Sequence, residues 1–276
     1  MSNFRNKTVI VTGASSGVGE AAARQFIREG ARVVLAARSA QALQTLADEL
    51  GQDALAVPTD VADRAACEAL IQATVEAFGG LDVLVNNAGF NSRGDVERIS
   101  LDDIERMVDV NLKAPLRLSK LALPHLARSE RGAIVNVASL AGRVPVDHDA
   151  TYSATKFGLR AFSFALAEEL EGTRVTVSVV SPGPIATGFI LEDVDSVADL
   201  TLSQPMSTAD EVARCVLQCA RDGSRERTLS MVSGLLTQLG YLAPGLRKLL
   251  KPALEARGRK ARERYRAHTS STENPP

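Results

Sequence analysis

Glycines with the spacing of a phosphate-binding turn lie near the start of the chain, at Gly13, Gly17 and Gly19. They follow a short apolar run and precede an alanine-rich segment with helical periodicity. Glycines let a backbone turn tightly and approach a pyrophosphate at a helix N-terminus, where free N–H groups and the helix dipole favour anions. The spacing is GxxxGxG rather than GxGxxG. We expect a dinucleotide site, with an ordinary strand-to-helix turn as the alternative.

The residues after the second apolar run bear on which dinucleotide is bound. An NAD site usually places an acidic residue about 20 positions after the glycine loop, to accept from the ribose 2′-hydroxyl. This chain has Ala37 and Arg38 there. Because a guanidinium binds a 2′-phosphate well, we expect NADP(H), with a solvated surface arginine as the alternative. Asp60 and Val61 follow the third run and are placed to contact adenine, although Asp60 could instead cap the next helix.

More polar residues follow further along the chain, at Asn86–Gly89, Asn111, Ser139, Tyr152 and Lys156. Side chains four apart, such as Tyr152 and Lys156, share one face of a helix. Ser139 ends an apolar run thirteen residues before the tyrosine. Taken singly, such a pair is usually an ordinary amphipathic helix face, and such a serine is usually a cap.

The order of these motifs resembles that of the short-chain dehydrogenase/reductase family. The matches are TGASSGVG at 12–19, NNAG at 86–89, Asn111, Ser139, YSATK at 152–156 and PGPIAT at 182–187. They extend the resemblance over residues 7 to about 235. Any one motif could arise by chance, whereas the ordered set is specific.

The resemblance implies catalytic roles for four residues. Tyr152 would be the general acid in carbonyl reduction and the general base in alcohol oxidation. Lys156 would favour the phenolate, since an ordinary phenol titrates near 10, and would hold the nicotinamide ribose. Ser139 would hydrogen-bond the substrate oxygen. Asn111 would hold a water that links the lysine to solvent.

The residues expected to contact or shape the cofactor site come from the arguments above together with the resemblance. They are Gly13, Ser15, Ser16, Gly17, Val18, Gly19, Arg38, Asp60, Val61, Asn87, Ala88, Gly89, Tyr152, Lys156, Pro182, Gly183 and Thr187. Asn86 and Gly89 are expected to be structural. No histidine and cysteine spacing indicates a metal site.

Short β-branched runs alternate with longer segments of helical periodicity along the chain. The predicted strands are Thr8–Thr12, Arg32–Ala36, Asp53–Pro58, Val83–Asn86, Ala133–Val137, Arg174–Ser181 and, more weakly, Thr228–Val232. The predicted helices are Gly19–Arg28, Ala40–Leu50, Arg64–Phe78, Ser100–Ser129, Tyr152–Leu170 and Ala209–Ala220. Uniformly apolar strands alternating with helices predict an α/β fold: a single Rossmann-type, doubly wound parallel sheet of about seven strands, with helices on both faces.

The substrate side is expected in the segment after Pro182 and Gly183. Residues 189–191 are apolar and could line a pocket, and the segment up to Pro205 is long enough to be a lid. His148 is expected near the mouth, although a loop histidine is more often only solvated. After the lid, Thr208 and Glu211 predict a capping box.

The C-terminal extension, residues 241–276, follows a catalytic domain assigned to residues 1–240. From Tyr241 onward, nine Lys/Arg stand against three Glu, a sum of +6, so the rest of the chain carries −7 of the total −1. Its leucines have helical spacing that Pro244 and Pro252 interrupt. The extension is expected to pack over the substrate pocket or a neighbouring subunit, to contact an anionic membrane weakly, or to be a solvated end.

Composition excludes several classes of protein. The 276 residues are 45% hydrophobic and 24% charged, with a net charge of −1, which argues against disorder and nucleic-acid binding. No run approaches the roughly 18 apolar residues of a membrane span, and no signal peptide is evident. Three cysteines without metal spacing fit the cytoplasm. The resemblance implies a homodimer or homotetramer.

We therefore expect an NADP(H)-dependent oxidoreductase that interconverts a carbonyl and a secondary alcohol of a hydrophobic small molecule, such as a steroid, a retinoid or an aryl ketone. One alternative is a 3-oxoacyl-[acyl-carrier-protein] reductase. Members of that type usually end soon after a strand finishing in Val-Asp-Gly-Gly, whereas this chain has Leu229–Gly234 and continues for about 40 residues. The alternative from another class is a catalytically silent NADP(H)-binding regulator.

Overall fold

The apolar runs of the sequence form the strands of one parallel sheet. The computed structural model describes residues 4–191 and 194–272. The sheet has seven strands in the order β3-β2-β1-β4-β5-β6-β7, and every neighbouring pair is parallel. The strands are β1 (Thr8–Thr12), β2 (Arg32–Ala37), β3 (Ala54–Pro58), β4 (Val83–Asn86), β5 (Gly132–Val137), β6 (Val175–Val180) and β7 (Glu226–Arg227). The prediction of a Rossmann-type α/β fold is confirmed.

Helices connect the strands and cover the sheet. They are α1 (Gly17–Arg28), α2 (Ala40–Leu50), α3 (Arg64–Phe78), α4 (Leu101–Val108), α5 (Ala114–Leu126), α6 (Ala150–Glu169), α7 (Gly188–Leu191), α8 (Asp199–Leu202), α9 (Ala209–Asp222), α10 (Met231–Leu242) and α11 (Pro244–Thr272). A π-helical turn (Asp109–Lys113) joins α4 to α5, and a 3₁₀ turn (Leu140–Gly142) follows β5.

Two hydrophobic cores lie on opposite faces of the sheet. Along β1, Val9 and Val11 point into one core, with α1, α2 and α9, while Ile10 points into the other, with α3, α5 and α6. Burial on both faces explains why the strands are apolar throughout rather than alternating. The order of the strands reverses between β1 and β4, and the carboxyl ends of strands at such a point form a crevice where ligands bind.

Two predicted elements are wrong. The long helix expected over Ser100–Ser129 is three elements, because the π-helical turn interrupts it. The last strand, expected over Thr228–Val232, is the two-residue β7 (Glu226–Arg227). The chain does not continue as a strand because Ser230 begins a helix. Its hydroxyl accepts a hydrogen bond from Ser233 N at 3.2 Å and caps α10. β-branched residues alone do not reveal such a cap.

Within the described residues, no helix combines the length and the apolar character that crossing a membrane requires.

Candidate active site

A cavity of about 1120 Å³ opens where the segments after β1 to β6 meet. Most residues expected at the site line it: Gly13, Ser15, Ser16, Gly17, Val18, Arg38, Asp60, Val61, Asn87, Ala88, Gly89, Ser139, Tyr152, Lys156, Pro182, Gly183 and Thr187. Gly19 and Asn111 lie behind its wall. The structure thus brings together residues that span most of the sequence.

The glycine loop is packed too closely for side chains. A Cβ at Gly19 would lie 2.1 Å from Gly13 O, so Gly19 shapes the loop from behind. Gly13 has a φ of +66°, and a Cβ there would lie 2.9 Å from Asn87 Nδ2. Asn87 Nδ2 in turn donates to Thr12 O at 2.9 Å, which fixes the loop against β4.

The start of α1 fits an anion. Ser16, the N-cap residue, forms no side-chain hydrogen bond to the first N–H groups of this 12-residue helix. Those groups and the positive end of the helix dipole adjoin the cavity at Gly17 and Val18. The narrow glycine backbone and the uncapped helix end therefore fit the pyrophosphate of a dinucleotide.

Arg38 and Asp60 lie at the end of the cavity formed after β2 and β3. Arg38 is exposed and forms no ion pair within the described part of the chain, so its guanidinium is accessible to a ligand. Asp60 pairs with Arg106, with 2.7 Å between Oδ2 and the guanidinium nitrogen. Although burial opposes it, the hydrogen bonds from Arg106 and from Ala62 N lower the pKa of Asp60. Asp60 is therefore an anionic acceptor on this wall.

Ser139, Tyr152 and Lys156 converge at the other end of the cavity. Ser139 follows β5, and its hydroxyl accepts from Ala141 N at 3.1 Å. The same serine hydrogen-bonds Tyr152, which lies in the first turn of α6. One turn later, Lys156 Nζ lies 5.6 Å from the centroid of the tyrosine ring and donates to Val137 O at 3.0 Å. A hydroxyl, a phenol and an amine thus face one space.

Burial dominates the ionisation of the tyrosine and the lysine. It raises the pKa of Tyr152 to about 12, with a smaller contribution in the same direction from Asp149; Ser139 and Arg93 act in the opposite direction. Burial also lowers the pKa of Lys156 to about 8. The lowering of the phenol pKa that was expected from the lysine is therefore not seen in this structure. The phenol is protonated at neutral pH, which is the form that donates a proton.

Asn111 lies in the π-helical turn and is fully buried. Its Oδ1 accepts from Phe90 N at 3.0 Å, and its Nδ2 donates to Phe90 O at 2.8 Å. A Cβ at Gly89 would lie 3.1 Å from that Oδ1 and 3.5 Å from Lys156 Nζ. The asparagine side chain therefore fixes the backbone beside the lysine, on the side where the expected proton relay would run.

Sequence reasoning missed a polar cluster beside the tyrosine, formed by Asn91, Arg93 and Asp149 on the cavity wall. Asn91 Nδ2 donates to Asp149 Oδ1 at 2.6 Å, and burial raises the pKa of this carboxyl. Its position three residues before Tyr152 is the one signal that could have indicated Asp149. His148 does not line the cavity; its Nδ1 lies 2.7 Å from Asp95 Oδ1, and both side chains are exposed.

The segment expected to be a lid forms α7 and α8 beside the cavity. Ile190, Val197 and Leu200 line the cavity. Residues 192–193 and the side chains of the apolar neighbours of Ile190, residues 189 and 191, lie outside the described residues. The predicted capping box after the lid is confirmed, since Thr208 and Glu211 bond each other's backbone N–H groups.

The C-terminal helix α11 packs over the lid and continues through Pro252, where an interruption was expected. A Cβ at Gly258 would lie 1.8 Å from Asp199 O, so α11 and α8 touch backbone to backbone. Arg262 Nη2 donates to Asp199 Oδ1 at 2.7 Å and to Val197 O at 2.5 Å. The extension therefore packs on α8 through α11, as in the first of the three alternatives expected for it, without excluding the other two.

Comparison with known proteins agrees with this geometry. The family model for short chain dehydrogenases matches residues 7–196. The chain is 38% identical over 221 residues to a protein named ketoacyl reductase HetN from Nostoc sp. (strain PCC 7120), covering 78% of this chain and 77% of that protein. It is also 38% identical over 190 residues to an uncharacterized oxidoreductase of Staphylococcus aureus (strain USA300), covering 68% and 82%. The glycine loop, the Ser–Tyr–Lys cluster and a matching model over most of the sheet together make this chain a member of the short-chain dehydrogenase/reductase family.

Proposed function

We propose that the protein is an NADP(H)-dependent reductase that interconverts a carbonyl and a secondary alcohol on a hydrophobic small molecule. The observation that carries the proposal is the convergence of Ser139, Tyr152 and Lys156 at one end of a cavity whose other end has the glycine loop. The cavity is continuous between these two ends, which hydride transfer from a bound dinucleotide requires.

The chain's own residues would supply the proton and orient the substrate. Tyr152 holds its proton at neutral pH and would donate it to the carbonyl oxygen as that oxygen gains charge. Ser139 would donate a second hydrogen bond to the same oxygen. Lys156 would hold the nicotinamide ribose, with Asn111 fixing the backbone beside it. When bound, the nicotinamide dinucleotide supplies or accepts the hydride.

The preference for NADP(H) rests on Arg38. Its exposed guanidinium, which forms no ion pair among the described residues, lines the cavity directly after β2, where an NAD site carries an acidic residue. The 2′-phosphate would gain charge-assisted hydrogen bonds there. Reduction is the expected direction with this cofactor.

The preference for a hydrophobic substrate rests on the lid side of the cavity. Its lining is largely apolar, with Leu140, Val144, Val146, Ile190, Val197 and Leu200. Such a wall favours the apolar body of a substrate, while the cluster of Asn91, Arg93 and Asp149 would accept a polar end. We further propose a homodimer or homotetramer in the cytoplasm, where the three free cysteines would stay reduced.

A second candidate is reduction of 3-oxoacyl thioesters. The name of the Nostoc relative favours it, and so do the cations of α11 near the cavity mouth, where Arg247 donates to Pro145 O at 2.6 Å. An acidic carrier protein would require such a basic surface. Turnover of 3-oxoacyl thioesters on carrier protein well above that of ketosteroids, aryl ketones and quinones would favour this candidate.

Replacement of Tyr152 tests the mechanism. Ketosteroids, aryl ketones, quinones and 3-oxoacyl thioesters form the substrate panel. In Tyr152→Phe, turnover of whichever of these is reduced should fall at least about 100-fold, since the proton donor is lost. NADPH oxidation measures turnover, and NADPH fluorescence titration should show unchanged binding. Near-normal turnover in the variant would refute this role. A wild-type chain that binds NADPH tightly but reduces nothing on the panel would instead indicate a silent regulator.

A further inference from the structure

Helix α10 presents its apolar residues to solvent. They recur at positions i, i+1, i+4, i+5, i+8 and i+11, which places them on one face of the helix. They are Met231, Val232, Leu235, Leu236, Leu239 and Leu242, and each is exposed by 43% to 87%. The helix has no charged residue. Surface helices usually turn their apolar face to the core, whereas α10 turns it to solvent.

The other face of α10, which is small and polar, packs on the protein. Ser233, Gly234 and Thr237 are buried. Arg143 holds this face, donating to Gly234 O at 3.2 Å and to Thr237 Oγ1 at 3.4 Å. The ring of Tyr241 lies 5.5 Å from that of Phe157. The outward direction of the apolar face is therefore fixed by contacts on the opposite side.

The exposed apolar surface of α10 continues onto α11, where basic residues join it. Leu249 and Leu250 are exposed, and Arg257, Lys260 and Arg264 follow on the same side of the helix, within about 100° of arc. In the described part of the chain, none of these three cations forms an ion pair. By contrast, Lys251 and Arg262, on another side of α11, bond carboxylates. An apolar face next to unpaired cations complements an anionic, apolar partner.

We propose that the outer faces of α10 and α11 form a docking surface for an anionic phospholipid membrane. The docking surface comprises the exposed apolar residues of α10, Leu249, Leu250, Arg257, Lys260 and Arg264. Leucines would enter the boundary between headgroups and acyl chains, while the cations would meet lipid phosphates. A second copy of the chain fits less well, because a two-fold contact pairs this surface with itself, and the surface contains no carboxylate to meet its cations.

The docking surface lies next to the cavity. Thr237, on the protein-facing side of α10, lines the cavity wall. A membrane that bound the opposite side of this helix would therefore lie one helix diameter, about 10 Å, from the cavity. This inference goes beyond the proposed function, since docking does not depend on which substrate is reduced.

Vesicle sedimentation of the full chain tests the proposal. We expect the wild-type chain to sediment with phosphatidylcholine vesicles that contain phosphatidylglycerol, and at least about 10-fold less with pure phosphatidylcholine or in high salt. A Leu235→Gln/Leu239→Gln variant should lose at least about 10-fold of the binding, because two exposed apolar side chains are removed. Arg257→Gln/Lys260→Gln should weaken binding to the anionic vesicles. Leu101→Gln, which changes a leucine that is 68% exposed on α4, is the matched control and should bind as the wild type does.

Three results would overturn the proposal. They are absence of sedimentation with either vesicle, equal binding by the Leu235→Gln/Leu239→Gln variant, and a dimer in analytical ultracentrifugation that this variant dissociates. NADPH titration, which reports on a site away from these residues, shows that the variants are folded. If a variant fails this check, hydrogen exchange of the wild-type chain decides: protection of residues 231–250 by anionic vesicles supports docking, and unchanged exchange contradicts it.

Discussion

At the scale of residues, the ordered motifs, rather than any one residue type, predicted which polar side chains would lie together. The family resemblance implied a common site for Tyr152, Lys156 and Ser139, and all three face the cavity. The polar cluster beside them could not be predicted in the same way. Arg93 and Asp149 are distant in sequence and have no characteristic spacing, so only the fold shows that both act on the phenol.

Arg38 gives a prediction about cofactor choice. In Arg38→Ala, kcat/KM for NADPH should fall about 10- to 100-fold, because a charge-assisted hydrogen bond to the 2′-phosphate is lost. The value for NADH, which has no such phosphate, should change little. Steady-state kinetics with both cofactors measures this ratio. Arg64→Ala, which removes an exposed arginine outside the cavity, should leave both values unchanged. Faster turnover of the wild-type chain with NADH would contradict the assignment.

Lys156 gives a prediction about stability and pH. Its pKa is lowered to about 8 from the usual 10.5, so between these pH values the unfolded chain binds a proton that the folded chain has released. The stability of the wild-type chain relative to Lys156→Met should therefore rise with pH across this window, by up to about 3 kcal/mol. Below pH 8 the buried ammonium is present and its cost is complete.

Urea unfolding of both chains at stepped pH measures this difference. The buried thiols, whose pKa values are raised, contribute equally to both chains and cancel. A stability difference that does not change between the two pH values would show that the lysine is not held in a desolvated site.

At the scale of elements, the strands were predictable because they are buried on both faces, whereas the interruptions were not. In the π-helical turn, Asn111 bonds the backbone of Phe90, which is distant in sequence, and no local pattern marks the turn. Likewise, Thr228–Val232 has strand-forming residues, but Ser230 caps a helix there. At these two places, contacts made by a single side chain outweigh the local propensity of the surrounding residues.

Contact between α8 and α11 gives a prediction with an internal control. Gly258→Ala would place a Cβ 1.8 Å from Asp199 O, so the two helices must separate. We expect it to lower the free energy of unfolding by about 1–3 kcal/mol and to raise KM for the carbonyl substrate. Gly245→Ala, in the same helix with nothing within 4 Å, should be neutral or slightly stabilising. Thermal melts and KM values compare the two; equal effects would mean that α11 does not hold the lid.

At the scale of the whole molecule, the charge asymmetry of the sequence corresponds to contacts between its two parts. The basic extension bonds acidic residues of the body on two sides of the cavity, with Lys251 Nζ 2.5 Å from Asp147 Oδ2 and Arg262 2.7 Å from Asp199 Oδ1. Composition could reveal the opposite charges but not their partners, because Asp147 and Asp199 lie about 50 positions apart in the sequence. Within the described residues, the three cations of the docking surface take no part in these contacts.

Through these two ion pairs, the length of α11 sets the separation between two parts of the body. Lys251 and Arg262 are eleven residues apart, so a helix sets the separation of their α-carbons at about 16 Å. Asp147 precedes α6 and Asp199 begins α8, so this length helps to set the width of the cavity entrance between them. One residue inserted between the two cations would turn Arg262 by about 100° and carry it away from its carboxylate. A relative with a differently sized substrate would then be expected to change its lid and the residue count of this helix together.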